Sequence, residues 1–153
     1  MPTKIEHAAA FHRLHVPGRP VVLYNVWDAG TAQAVARAGA KAIATGSWSV
    51  AAAHGFQDGE QIPLDVALAN LREIVAAVQL PVTLDLEAGY GSSPGAVAAT
   101  VTRAIGAGAI GVNLEDQVIG ADALYPVAEQ EARVHAACAA EDESLIHRSR
   151  GAR

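Results

Sequence analysis

With a single cysteine, Cys138, the chain cannot close an intramolecular disulfide or build a cysteine-rich zinc site. Positive charge is also scarce. Eleven Lys and Arg stand against sixteen Asp and Glu, a net charge of −5, which argues against a nucleic-acid or anionic-membrane binder. An acidic substrate remains admissible, because a metal ion can invert the local charge. No run approaches about 18 apolar residues, so no segment is expected to span a membrane. The start, MPTKIEHAAAFHRLH, places charges and histidines where a secretion signal needs an apolar stretch. A soluble, cytoplasmic protein is the resulting expectation. Linkers and low-complexity segments are missing, so 153 residues read as one domain, yet about 100 short of a closed eight-stranded α/β barrel. What the chain has is apolar material: 51% hydrophobic residues against 18% charged ones, enough to bury a core.

Short β-like runs alternate with helical ones. Residues 4–15 read as an opening helix ended by Pro17-Gly18, and Val21 to Asn25 as a buried strand. Asp28 can cap a helix running to Ala38, with Gly39 as its left-handed exit. Ala42 to Thr45 forms the second strand, followed by a Gly-, Ser- and His-rich loop from Gly46 to Gln61. Pro63 opens a helix whose Leu64, Leu68, Leu71, Val75 and Val78 make one stripe. Val82 to Leu86 is the third strand. Ser93-Pro94 starts a helix with Val97, Val101 and Ile105 on its inner face, closed by Gly106 and Gly108. Ile110 to Leu114 is the fourth strand and Val127 to about Ala140 the last helix. Four β-α units in order imply a parallel sheet with right-handed crossovers. Residues 141–153 break the rhythm, with little apolar material and no fifth strand. They are expected to be a solvated tail, or the mark of truncation or a frameshift near residue 138.

Chemistry concentrates at the ends of the third and fourth strands. Alternation puts Thr83, Asp85 and Glu87 on one face and Leu84 and Leu86 on the other. Asn113 and Glu115 repeat the arrangement against Val112 and Leu114. The carboxyl ends of adjacent parallel strands are where α/β proteins place active sites. Three carboxylates converging there repel one another unless a cation is present, and hard oxygen donors suit Mg²⁺ or Mn²⁺, often through water. The bland alternative, that one acid merely caps a loop or helix, accounts for one acid but not for three.

Other residues weigh less. Gly89-Tyr90-Gly91 with Gly95 is spaced GxGxxxG, and the acids before it would repel a pyrophosphate, so it reads as a sharp turn into the next helix. His12 and His15 lie at helical spacing and read as solvent-facing. His54, in the Gly-rich loop, is a better functional candidate, though a structural role is the default. Trp27 and Trp48 follow strand ends, as pocket wall or core. Cys138, on an Ala-rich helix, reads as a small buried residue.

Asn25–Gly30 (NVWDAG), Ala44–Ser49 (ATGSWS), Gly55–Glu60 (GFQDGE), Asp85–Gly91 (DLEAGYG) and Gly111–Asp116 (GVNLED), taken in order, resemble the isocitrate lyase/phosphoenolpyruvate mutase superfamily, and best its mostly uncharacterised mutase-like branch. The resemblance covers roughly residues 5–138. It implies a (β/α)8 barrel that binds Mg²⁺ and a small 2-oxo acid or enolpyruvate-type substrate. Members make or break C–C or P–C bonds through enolate-like species. By resemblance Asp85, Glu87 and Glu115 fall on the metal positions, where the second is often Asp in characterised members. Ser47, Trp48 and Ser49 fall on the loop that holds the substrate carboxylate with backbone amides and a hydroxyl. Asp58 falls on a mobile gating loop, where mutase-like members carry a catalytic Asp.

Two departures shape the expectation. Isocitrate and methylisocitrate lyases carry a Cys-bearing basic segment after the fourth strand. Here Gln117 to Tyr125 stands in its place, without Cys, Lys or His, which speaks against that lyase subtype. Nothing corresponds to the later strands either. The expected fold is therefore the N-terminal half of a TIM-type (β/α)8 barrel: about four parallel β-α units after an opening helix, over residues 1–140. Two open sheet edges would favour self-association, and a wet site would weaken catalysis. The expected function is a Mg²⁺-dependent lyase or phosphomutase-type reaction, impaired by truncation. The alternatives are a non-catalytic remnant that binds metal or a partner, and an open flavodoxin-like sheet with a binding role.

Overall fold

The computed structural model describes residues 2–140; the expected tail, 141–153, lies outside the described residues. Helix α1 (Lys4–Leu14) opens with a capping box, in which the Thr3 hydroxyl accepts the Glu6 amide and the Glu6 carboxylate accepts the Thr3 amide. Four strands follow, β1 (Asn25–Val26), β2 (Ile43–Thr45), β3 (Val82–Asp85) and β4 (Gly111–Asn113), parallel and in chain order. Between and after them come α2 (Ala29–Arg37), α3 (Ser47–Ala53), α4 (Leu64–Ala77), α5 (Pro94–Ala107) and α6 (Val127–Ala139). Helices α2, α4, α5 and α6 pack side by side in that order.

The core lies between that helical row and the sheet. Val82, Leu84 and Leu86 of the third strand segment meet Leu68, Leu71 and Ile74 of α4 and Val97 and Val101 of α5, all essentially buried. The 3.6-residue period of the helices is visible in the burial pattern, whereas the third strand is buried on both faces, Thr83 as well as Val82 and Leu84. A second cluster of Phe11, Ala42 and Ile110, with Leu14 and Leu23 against it, sets α1 beneath the amino ends of the strands. The opposite, carboxyl ends stay uncovered by α1.

Two sequence expectations fail here. The first strand is Asn25–Val26 alone, not residues 21–25. Residues 21–24 keep the alternation, with Val22 and Tyr24 exposed and Leu23 packed inward, but β1 is an edge strand whose ladder to β2 has two registered pairs. Second, the segment expected to be loop after β2 begins with α3. Val50 and Ala51 bury against Ile62 and Ala67, and that packing, rather than propensity, recruits the stretch into a helix.

The first prediction concerns α2. Asp28 Oδ1 accepts the Thr31 amide at 2.6 Å and Thr31 Oγ1 accepts the Asp28 amide at 3.2 Å. Asp28→Ala should cost about 1 kcal/mol, or about 2–4 °C in melting temperature for a chain of this size. The bond from the Thr31 amide holds the Asp28 carboxyl below its ordinary pKa. Its contribution is therefore complete above the ordinary carboxylate value and is lost as pH falls through the lowered one. Thermal melts of the two proteins should converge in acid and separate towards neutrality.

Candidate active site

At the carboxyl ends of the strands the backbone leaves regular β geometry and gathers acids. Asp85, the last residue of β3, donates its amide to Thr45 Oγ1 at 2.9 Å. Its carboxylate is held by two amides: Ser47 N to Oδ2 at 3.0 Å and Glu87 N to Oδ1 at 3.2 Å. Two residues on, Glu87 adopts φ +49° and is buried. The expected alternation through Glu87 therefore stops at Asp85, because a left-handed residue breaks the two-residue period. Its Oε2 instead accepts the amides of Gly59 and Glu60, at 2.8 and 2.7 Å. Glu60 Oε1 accepts the Tyr90 amide at 2.7 Å.

Among the described residues, Glu60, Glu87 and Tyr90 are the only non-glycine residues with positive φ. Each such conformation costs of order 1–3 kcal/mol, and strain of this kind clusters at functional sites. Here the three are joined by their own hydrogen bonds. Gly89 and Gly91 make the turn possible: a Cβ on Gly89, at φ +96°, would stand 2.9 Å from Leu114, and one on Gly91 2.5 Å from the Ala96 side chain.

Glu115 lies beside Glu87, whose carbonyl accepts the Glu115 amide at 2.7 Å. Ser47, Asp58, Gly59, Glu87 and Glu115 line one cavity of about 240 Å³, together with Gln117, Ile119 and Gly120. A neighbouring cleft of about 300 Å³ is walled by Asn25, Trp27, Gly46, Ser47, Trp48, Ser49 and Asp85. Ser47 belongs to both, so all seven residues singled out in the sequence reach one contiguous region. Trp27 and Trp48 are pocket wall there, both exposed, not core. His54 does not line it; it ends α3, with its Nδ1 2.9 Å from the Val50 carbonyl. His12 and His15 are exposed on α1, and Cys138 is half-buried on α6.

Ser47, Trp48 and Ser49 were expected in a loop and are instead the first turn of α3. The Ser47 amide points at Asp85, and the Ser49 hydroxyl donates to the Gly46 carbonyl at 2.9 Å. Gln117, Ile119 and Gly120 escaped the sequence reading. They sit on a short excursion between Gln117 and Leu124, closed by an antiparallel bridge and a left-handed Gly120. The available signal was position alone, since the loop after a barrel strand is where such proteins line their sites. Arg133 of α6 also escaped. It is buried, with its guanidinium 3.8 Å over the Tyr125 ring and bonded to Ala88 O, Gly91 O and Gln130 Oε1. Gln130 in turn donates to Glu115 O at 3.2 Å.

Among the described residues no Lys or Arg forms an ion pair with these acids. Burial first, and then the Asp58 and Glu60 charges, raise the Glu87 pKa against the two amides that lower it. Partial burial and then Asp85, Asp58, Asp116 and Glu60 raise that of Glu115. Burial, and then the charges of Glu87, Glu60, Asp85 and Asp58, push the Tyr90 phenol far above its ordinary value. No three His, Cys, Asp or Glu side chains among the described residues are grouped to hold a metal ion directly. An all-carboxylate set around an open cavity fits instead a hard divalent cation that keeps part of its own water.

Parallel β-α units with acids gathered at the carboxyl ends of the strands define the α/β-barrel class, in its active-site layout. Within that class, the chain belongs to the phosphoenolpyruvate phosphomutase family, whose model matches residues 11–148. A crystal structure of a Burkholderia cenocepacia J2315 protein described as a candidate phosphonomutase superposes with TM-score 0.89 at 51% identity. It is matched over 93% of this chain and 56% of its own. The 2-methylisocitrate lyase of Escherichia coli K12 is 36% identical over 116 residues, 69% of this chain and 39% of the lyase. Phosphonopyruvate hydrolase, crystallised with oxalate and Mg²⁺, shares the fold at TM-score 0.83 and 23% identity, over 95% of this chain and 51% of its own. The chain thus spans about two fifths of the curated relatives it matches and about half of these solved ones. Among the described residues no helix is long and apolar enough to cross a membrane.

Proposed function

We propose that the site serves Mg²⁺-dependent lyase or phosphomutase-type chemistry, with Mn²⁺ as a possible substitute. The substrate class is a small 2-oxo acid or enolpyruvate-type compound reacting through an enolate-like species. The observation that carries this reading is the meeting of Ser47, Asp58, Glu87 and Glu115 on one cavity, with Asp85 fixed beside them. Asp85 and Glu115 would hold the cation, largely through water, with Glu87 at the third acidic position. A bound cation would supply positive charge against the charge that develops on substrate oxygens. The chain's own residues do the rest. Ser47, Trp48 and Ser49 form the wall against which a substrate carboxylate would lie, and the tryptophans keep one side of the cleft apolar. Asp58, exposed at the cavity rim, is the group free of the strand-end network that can act as nucleophile or general base.

Support comes from family membership and from the Mg²⁺ and oxalate bound by phosphonopyruvate hydrolase. The test is Asp58→Ala, screened with oxo acids and phosphonates in Mg²⁺. Turnover should fall by about 10²-fold or more, with the melting temperature within about 2 °C of wild type, as for an exposed side chain. Unchanged turnover would remove Asp58 from the mechanism.

The reading extends to the isolated 153-residue chain. Among the described residues the outer edges of β1 and β4 have no strand partners, and Asn113 and Glu115 are exposed. Purified alone, the chain is expected to self-associate through these edges and to turn over slowly, because a wet site loses preorganised electrostatics. A compact monomer in analytical ultracentrifugation at every concentration tested would contradict the self-association.

A further inference from the structure

We infer that Glu87 is a positioning residue for Asp58, not a ligand that a bound cation requires. The inference rests on the divalent-cation reading above and reassigns one member of its acidic set. Glu87 is 4% exposed, and both bonds to its Oε2 come from the two amides immediately following Asp58, those of Gly59 and Glu60. Two accepted amides fill that oxygen's in-plane lone pairs, which therefore point into the turn rather than into the cavity. Gly59 has φ +86° and Glu60 φ +57°, so the turn that carries Asp58 is wound left-handed where the carboxylate grips it.

The grip is reciprocal. Glu60 Oε1 takes the Tyr90 amide at 2.7 Å, and the Glu87 amide is donated to Asp85 Oδ1 at 3.2 Å. A continuous path therefore runs from the end of β3, through the Glu87 carboxylate, to the peptide planes beside Asp58. Charge-assisted bonds to two consecutive amides fix the direction of those planes, and with it the direction from which Asp58 leaves the chain. Glu115 differs. It lines the same cavity and is exposed, and its backbone amide and carbonyl, not its carboxylate, make its bonds to Glu87 and Gln130. A cation could reach Glu115 without undoing anything; at Glu87 only Oε1, which takes no part in the grip, is open to it, and reaching Oε2 would release the turn.

The discriminating experiment uses the 153-residue chain with two readouts, amide hydrogen exchange at Gly59 and Glu60 and affinity for Mn²⁺. Glu87→Gln keeps an acceptor of the same reach but loses the charge; Glu87→Ala loses both, and Glu87→Met replaces it if the alanine variant does not fold. Glu87→Gln should leave exchange at the two amides and Mn²⁺ affinity within about threefold of wild type. Glu87→Ala or Met should accelerate exchange at both amides by about tenfold or more, confined to the turn. Glu115→Gln should weaken Mn²⁺ by about tenfold or more with exchange unaltered. Loss of Mn²⁺ affinity in Glu87→Gln as large as in Glu115→Gln would overturn the inference. So would unaltered exchange at Gly59 and Glu60 in Glu87→Ala or Met. Failure of the wild type to bind Mn²⁺ would remove the cation reading, and the exchange comparison alone would then decide the role of Glu87.

Discussion

Arg133→Met should destabilise the chain by about 3 kcal/mol, lowering the melting temperature by about 6–12 °C. Arg133 is 1% exposed, and its bonds run to two main-chain carbonyls, Ala88 O and Gly91 O, and to Gln130 Oε1, beneath a cation–π contact with Tyr125. Methionine fills the volume but leaves the buried Ala88 carbonyl without its donor, at about 1–3 kcal/mol, and the half-buried Gly91 carbonyl without its own at less, offset in part by no longer burying a charge. The desolvated cation–π contact adds about 2 kcal/mol. Arg133→Lys should recover less than half, since an ammonium cannot span Ala88, Gly91 and Gln130 at once. Urea denaturation measures all three proteins. A loss under about 1 kcal/mol for Arg133→Met, the size of an ordinary neutral hydrogen bond, would show that the loop after β3 holds its shape without the arginine.

Asp85→Asn should weaken divalent-cation affinity by about 10- to 100-fold, the scale for disturbing a metal-site residue. The reason is specific to this site. Both carboxylate oxygens accept main-chain amides, Oδ2 from Ser47 and Oδ1 from Glu87. An asparagine offers one oxygen and one NH2 group, so whichever way it turns, a donor faces a donor. One amide loses its partner, at about 1–3 kcal/mol if it stays buried, and the start of α3 or the backbone of Glu87 must shift. Isothermal titration with Mn²⁺ and a thermal melt should therefore move together for Asp85→Asn, whereas Glu115→Gln should move the titration far more than the melt. Wild-type affinity in Asp85→Asn would place the cation elsewhere.

Much of this architecture is written in the sequence. The alternation of Val82, Leu84 and Leu86 and the stripe of Leu64, Leu68 and Leu71 announce strand and helix. Asp28, Gly39, Ser93 and Gly108 mark element ends where the structure has them. Local chemistry suffices at those points, because caps and periods are set by residues three or four apart. It fails where the deciding contact is distant. Residues 21–24 look like a strand but have no ladder beyond the two pairs of β1, and α3 forms because Val50 and Ala51 meet Ile62 and Ala67.

The site divides the same way. The placing of Asp85 and Glu115 near the ends of adjacent parallel strands was legible, and family resemblance supplied Asp58 and the Ser47–Ser49 wall. The left-handed backbone of Glu87 was not legible, since glutamate gives no warning of positive φ. Its bonds to Gly59 and Glu60 span 28 and 27 residues. Arg133 was equally silent: one arginine in an Ala-rich helix reads as solvated until Ala88, Gly91 and Tyr125 close around it.

The central claim is that these carboxylates form a divalent-cation site for a small oxo acid. Its most direct test is the melting temperature of the purified chain, titrated with Mg²⁺ and with Mn²⁺, each with and without oxaloacetate. The account predicts a rise with either cation and a further rise with the oxo acid only when a cation is present, as expected for ligands that bind the folded state in order. No shift with either cation, or an equal shift with oxaloacetate in a chelator, would contradict it.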